Sequence, residues 1–333
     1  MVHIQMIQEQ TMVILKRLLV SFLMIVILVV AIFFMMHLLP GDPFQQYYSP
    51  ELGNRIAEQV KTKFGLDKPV SIQFIYWLKN IFSGDFGFSL VYKKPVSELI
   101  SSSITVTLSI SLTAFILQII LTIPLGLFLL KHNGKKVDLL IDKLALVIYS
   151  APSFVVAIIL IYAGSILTRL FPSSQLYSYN FYEINSIERL FDLLHHLTLP
   201  VLTLTITSIS FSIRYLRQSL IEISNQEFVT TLRSTGIPEN ILRRKHILPN
   251  ALISYITILG LEIGSLLSKT LITEMVFSLP GIGRLMVGSI FTRDYPVIIA
   301  CVMISGFMVI LGNLIADILI ARFNPKFSFE VIT

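Results

Sequence analysis

Five stretches of this chain contain no Asp, Glu, Lys or Arg: residues 18–41, 99–130, 144–168, 193–213 and 295–316. A sixth, 246–273, is interrupted only by Glu262 and Lys269. A helix needs about 20 predominantly apolar residues to cross the hydrocarbon core of a bilayer. With 54% of its 333 residues hydrophobic, the chain carries more apolar sequence than a water-soluble domain of that size needs. The runs predict an all-α membrane protein with six transmembrane helices, at roughly 18–39, 105–130, 144–169, 197–216, 251–272 and 297–320. A closed β-barrel would instead show short segments of alternating hydrophobicity, and these are not seen.

The connections divide by charge. One set carries Lys16, Arg17, Lys131, Lys135, Lys136, Lys143, Arg214, Arg217, Arg233, Arg243, Arg244, Lys245, Arg322 and Lys326. The short connections on the other side carry only Arg169, Arg189, Lys269, Arg284 and Arg293. Lys and Arg in short loops stay cytoplasmic, so both termini and the 217–250 loop are predicted to face the cytoplasm. The chain then divides into a cytoplasmic N-terminus (1–17), a first span (18–39), an extracytoplasmic segment (40–104), a core of five further helices (105–320) and a cytoplasmic tail (321–333). The net charge of +6 fits this bias and the anionic inner leaflet; it points to membrane lipid and not to nucleic acid. The first apolar run is longer than a signal-peptide h-region. It ends in Leu39-Pro40-Gly41-Asp42-Pro43 without a small-residue cleavage site, so a retained signal-anchor is expected. Cys301 is the one cysteine and falls in a predicted span, so no intrachain disulfide forms.

Between the fourth and fifth spans lies a charged island, residues 222–250, which reads EISNQEFVTTLRSTGIPENILRRKHILPN. Arg233, Arg243, Arg244 and Lys245 hold it in water. Glu227 to Ser234 suits a short helix, which Gly236 can stop by taking a left-handed conformation. Pro238 then opens a second short helix, where its missing N–H costs nothing. A helix–Gly–helix knob on the cytoplasmic side suits a grip by a soluble partner. The island also resembles the coupling loop of ATP-binding-cassette importer permeases, Glu-Ala-Ala, three residues, Gly, nine residues, Ile-x-Leu-Pro. Here Gly236 is followed by nine residues and then His246-Ile247-Leu248-Pro249, with Thr231 and Leu232 in place of the alanines. Phe228-Val229, Arg233 and Gly236 match the version found in peptide permeases.

The likeness spans almost the whole chain. Leu38 to Pro43, Gly65-Leu66-Asp67-Lys68-Pro69, Gln73, Trp77, Gly84 to Ser89 and Pro95-Val96 resemble, in order, the permeases of oligopeptide, dipeptide and nickel importers. So do Ser150 to Phe154, His196 to Pro200, Arg214 to Arg217, Glu274 to Arg284 and Arg293 to Pro296. The tail Asn313…Asp317…Asn324-Pro325-Lys326 resembles the family's Asn…Asp…Asp-Pro-Arg. The resemblance implies the type I importer permease fold and one membrane subunit of a binding-protein-dependent system in a bacterial inner membrane. Its implied partners are a second homologous permease, two ABC ATPase subunits and an extracytoplasmic solute-binding protein. ATP and Mg would be bound by the ATPases and no cofactor by this chain. Glu227, Phe228, Arg233, Gly236, His246 and Pro249 are the residues this assigns to ATPase coupling, with the 227–236 helix inserting into an ATPase groove. For Gly236 the plain alternative is an ordinary helix stop; for Arg243, Arg244 and Lys245 it is contact with anionic lipid.

No phosphate-binding loop is present. Gly264…Lys269-Thr270 lacks the glycine before the lysine and lies in a span. Gly281, Gly283 and Gly288 miss the dinucleotide spacing and read as a turn where the chain leaves or re-enters the bilayer. There is no catalytic constellation. Glu262 and Asp317 are carboxylates at or near span interiors, where charge is costly and marks function by default. Glu262 either lines the pathway and attracts a peptide's amino terminus or pairs with Lys269, seven residues on; Asp317 pairs with Arg322 or is solvated. His195-His196 has only Asp192 at a useful distance in sequence, so a helix-end or interface role is expected and no metal site. Pro124, Pro152 and Pro200 suit kinks or helix starts. Val70 to Phe82 has helical spacing and suits a lid lying on the membrane, with Tyr76 and Trp77 at the interface. A peptide is the expected substrate, with nickel or a metal chelate as the alternative. An ATP-independent secondary transporter and an intramembrane enzyme are the more remote readings.

Overall fold

The structure, a computed structural model, describes residues 2–38, 68–89 and 91–323. The expected motifs in 39–67 and in the tail from Asn324 onward lie outside the described residues. The elements are α1 (Val2–Leu38), α2 (Val70–Phe82), a two-stranded hairpin of β1 (Phe88–Ser89) and β2 (Lys94–Pro95), α3 (Val96–Lys131), α4 (Lys136–Ser150) and α5 (Ser153–Ile161). These are followed by α6 (Ser186–Ser224), α7 (Glu227–Ser234), α8 (Glu239–Ile241), α9 (Leu248–Val276), α10 (Ile282–Thr292) and α11 (Tyr295–Phe323). Single wide turns, Tyr162–Leu167 and Leu242–Ile247, extend α5 and join α8 to α9. Among the described residues, five helices are long and apolar enough to cross a membrane, and the pair α4–α5 makes a sixth span if counted together.

That pair corrects the expected straight span at 144–169. The two helices meet at 107°. Pro152 clashes with a helical conformation of the residue before it, and Ala151 is accordingly extended, at φ −79 and ψ 137. Helix α3 starts at Val96, not at 105. Its polar first turns are helical too, and there Ser101 and Ser102 donate back to the Glu98 carbonyl, at 2.9 and 3.0 Å. Helix α6 is likewise longer than its apolar run. It starts on a capping box between Asn185 and Glu188 and ends at Asn225.

Trp77 is buried against Phe33 of α1 and Met303 of α11, so it packs the bundle and does not face the interface. Phe33, Phe74 and Trp77 form an aromatic cluster with centroids 5.0–6.2 Å apart. The last and first spans are joined again by Arg17 and Asp317, 3.1 Å apart, which supplies Asp317 with a partner other than the expected Arg322. Helices α9 and α11 cross closely: a Cβ on Gly260 would press on Ala316, and one on Gly264 would collide with the Asn313 amide.

The hairpin is tied to the start of α11. Ser89 donates to Asp294 at 2.5 Å and accepts from the Tyr92 N–H at 2.9 Å. Burial pushes the Asp294 carboxyl up, against the lowering effect of the Ser89 hydrogen bond. Neutral Asn keeps an oxygen for Ser89. Asp294→Asn is therefore expected to shift the thermal midpoint by less than the about 1–3 kcal/mol that orphaning a buried partner costs. Asp294→Leu should show that larger loss in the same melting assay.

Candidate coupling knob and membrane cavity

The island folds as the spacing predicts. Helix α7 ends on Thr235, and Gly236 follows at φ +83, its N–H donating to the Arg233 carbonyl at 3.1 Å. Pro238 caps α8. The knob is seated by apolar side chains. Val229 of α7, Leu242 and Ile247 are buried against Leu216 and Leu220 of α6 and Ala251 and Tyr255 of α9. Such a seat lets the knob move only with those two long helices. Its outer face is open: Glu227, Phe228, Arg233, Gly236 and Pro249 are exposed. Glu239 sits between two cations, 2.5 Å from Arg233 Nε and 3.8 Å from Arg243 Nε, and bridges α7 to the turn after α8. His246 is half-buried in that turn, and its carbonyl accepts from Asn250 at 2.7 Å. The expected coupling residues therefore lie on one small structural unit, with Glu227 and Phe228 opening its first helix and Pro249 starting α9.

Glu262 lies apart from them, on α9 within the bundle. Its side chain is 6% exposed. One carboxylate oxygen accepts from the Gln118 amide of α3 and from Ser212 of α6 at 3.3 Å. The other lies 3.3 Å from Lys269 Nζ. Of the two sequence alternatives for Glu262, the Lys269 pair is the one formed, and both residues line a cavity of about 470 Å³. Tyr149, Leu204, Thr207, Ser208, Phe211, Ile258 and Ser265 contribute to the same lining. The same two helices, α6 and α9, thus carry both the seat of the knob and the walls of the cavity.

Three features escaped the sequence reading. Gln118 is the single long amide in the uncharged run 99–130, a signal that was there to be weighed. Asp138 is buried and held by Arg217 Nε at 2.6 Å and Nη2 at 2.7 Å, while Asp142 meets Arg214 at 3.2 Å. Two acids among the lysines of 131–143 mark these pairs only once α6 is known to pass beside them. Glu274 is fully buried and accepts from Thr107 at 2.6 Å and from the Arg284 N–H at 3.1 Å. It sits at the N-terminus of α10, where a negative charge meets free N–H groups. Gly281 lies in the turn before α10, as expected, and caps it, whereas Gly283 lies inside the helix, which corrects its reading as a turn residue; a Cβ on Gly281 would strike the Glu274 side chain, and one on Gly283 would press on Leu271. Gly288 is also helical.

The histidine pair lies within α6, about three turns from its start, which corrects the expected helix-end role. His195 Nε2 lies 2.6 Å from the Leu170 carbonyl, and His196 Nδ1 is 2.9 Å from the Asp192 carbonyl. Asp192 itself accepts from Ser178 N and Oγ, at 2.9 and 2.5 Å. Among the described residues, no three His, Cys, Asp or Glu side chains are grouped to hold a metal ion.

Comparison with known proteins agrees with this architecture. Residues 122–329 match the model of the binding-protein-dependent transport system inner membrane component, and residues 11–113 match that of its N-terminal region. The chain is 37% identical to the oligopeptide transport system permease protein AppB of Bacillus subtilis (strain 168), over 95% of this chain and 99% of that protein. It is 33% identical to the glutathione transport system permease protein GsiC of Salmonella typhimurium (strain LT2), with the same coverage. A crystal structure of an amino acid ABC transporter with histidines aligns with a TM-score of 0.51 at 19% identity, covering 68% of this chain and 94% of that one, which speaks to the fold alone. The six-span bundle, its island between α6 and α9 and these matches together place the chain in the family of binding-protein-dependent transport system inner membrane components, the permease subunits of ABC importers.

Proposed function

We propose that this chain imports short peptides across a bacterial inner membrane as one of two homologous permease subunits. Two ABC ATPases would bind ATP and Mg and grip the α7 knob, and an extracytoplasmic binding protein would deliver the peptide. Both termini and the knob would then face the cytoplasm, as the distribution of Lys and Arg requires. The observation that carries the reading is mechanical. Val229, Leu242 and Ile247 fix an exposed knob to α6 and α9, the helices that also hold Ser208, Glu262 and Lys269 at the cavity. Force applied to the knob reaches the cavity walls through packed side chains. Only contacts that differ between two states drive a switch. ATP-bound and ATP-free partners would supply that difference. The names of the oligopeptide and glutathione relatives support a peptide cargo.

The test is affinity purification of this chain from its native membrane in mild detergent, followed by mass spectrometry. Recovery of a Walker-motif ATPase and a second six-span permease supports the reading, and a co-purifying binding protein can be screened with peptides and with nickel. Recovery of the chain alone after crosslinking, with uptake surviving ATP depletion, replaces it with a secondary transporter.

A companion substitution probes the knob. At φ +83 a β-branched residue is strained, by about 1–2 kcal/mol or more. Gly236→Val should leave the protein in the membrane while substrate-stimulated ATPase and uptake fall together, several-fold. Normal uptake by this variant would remove Gly236 from the coupling machinery.

A further inference from the structure

We infer that the Glu262–Lys269 pair is an exchangeable recognition site for the two charged ends of a zwitterionic ligand, one with a free ammonium and a free carboxylate. The inference rests on the proposed import of peptides and adds to it a binding site inside the permease. The two residues are seven positions apart on α9, two turns of one helix face, and both line the cavity of about 470 Å³. That volume falls within the about 300–1,000 Å³ typical of small-molecule sites.

The pair is asymmetric. Glu262 is anchored, since Gln118 and Ser212 hold one of its oxygens from two neighbouring helices. Lys269 is 40% exposed and reaches the other oxygen at 3.3 Å, longer than the about 2.7–2.9 Å of a tight charge-assisted bond. At 3.3 Å the two charges neutralise one another, as charges at membrane depth must. An arriving ammonium can take the place of Lys269 on Glu262, and the released Lys269 can accept the carboxylate. Every charge remains paired throughout. A ligand with only one charged end would leave either Glu262 or Lys269 unpaired, and that cost is the source of selectivity. Tyr149 and Phe211, stacked with centroids 5.6 Å apart, and Leu204 offer apolar walls for side chains of varied shape.

The test is equilibrium binding of radiolabelled Ala-Phe to the purified transport complex, without ATP and without binding protein, beside its N-acetyl and C-amide derivatives. ATP-driven uptake by the same preparation with binding protein is measured in parallel. Wild type should bind Ala-Phe about tenfold or more tightly than either blocked form, the scale of one lost hydrogen bond to a charged group. Glu262→Gln should abolish the penalty for N-acetylation only, and Lys269→Met the penalty for amidation only. A residue with a merely structural role would weaken all three ligands alike. Equal binding of free and blocked peptides, no binding of Ala-Phe, or uniform loss in both variants overturns the inference while ATP-driven uptake keeps the importer reading intact. Binding with the expected pattern but no ATP-driven uptake of any peptide leaves the site standing and removes the importer reading.

Discussion

Replacing Asp138 with alanine will lower the thermal midpoint of the detergent-purified protein by an amount equivalent to about 3–5 kcal/mol. Asp138 has no exposed surface and accepts two bonds from Arg217, whose own side chain is 16% exposed, together with one from the Gly134 N–H at 2.9 Å. The change leaves a largely buried guanidinium without its counter-charge, which costs more than the intact pair contributes. The double variant Asp138→Leu, Arg217→Met should therefore recover most of the loss, because no orphan charge remains. Fluorescence-detected size-exclusion chromatography after a heating series reads all three proteins. If Asp138→Ala melts with wild type, or the double variant melts with the single one, the pair does not join α4 to α6 as described.

The second large effect is expected at Glu274. Glu274→Ala removes the acceptor for Thr107 and for the Arg284 N–H, and opens a void at the start of α10. Hydrogen bonds to a charged acceptor contribute about 1.5–3 kcal/mol each, so a loss on the order of 3 kcal/mol is expected after partial relaxation. Gly281→Ala attacks the same junction from the other side. Its Cβ would drive into the carboxylate at φ −92, where backbone strain is absent and only the collision counts. Protease accessibility of the α9–α10 connection should rise in both variants. An unchanged digestion pattern in Glu274→Ala would show that α10 is held by its apolar face, Ile282 and Leu285, without the carboxylate.

The spans and the knob were legible because each depends on local sequence. Uncharged runs mark the helices that cross lipid, and Gly236 and Pro238 mark the ends of short helices. The third span was misread for an instructive reason. Its apolar run is continuous across Ala151-Pro152, so hydropathy reports one helix where backbone sterics impose a bend of 107°. Helix ends were misplaced where serines satisfy themselves along α3, since polarity there does not end the helix. Asp138, Glu274 and Gln118 were missed because their meaning is pairwise. Each acquires a role only from a partner on another helix, at a separation in sequence that no local pattern encodes. Glu262 was singled out, but its Gln118 and Ser212 partners could not be.

The ion pair between Arg17 and Asp317 has a consequence for synthesis. The two residues lie 300 positions apart, so α1 is made first and meets its neighbour α11 last. At about 5–20 residues per second, the first helix waits about 15–60 s for that neighbour. In water, an apolar helix left alone for so long would aggregate. In a bilayer it waits as an independently stable span, because its backbone is satisfied internally and its side chains are solvated by lipid. A ribosome stalled before Tyr295 would thus leave α1 inserted and in contact with α2 but without α11, and quality-control proteases that survey the membrane would meet a chain whose first helix still lacks its last.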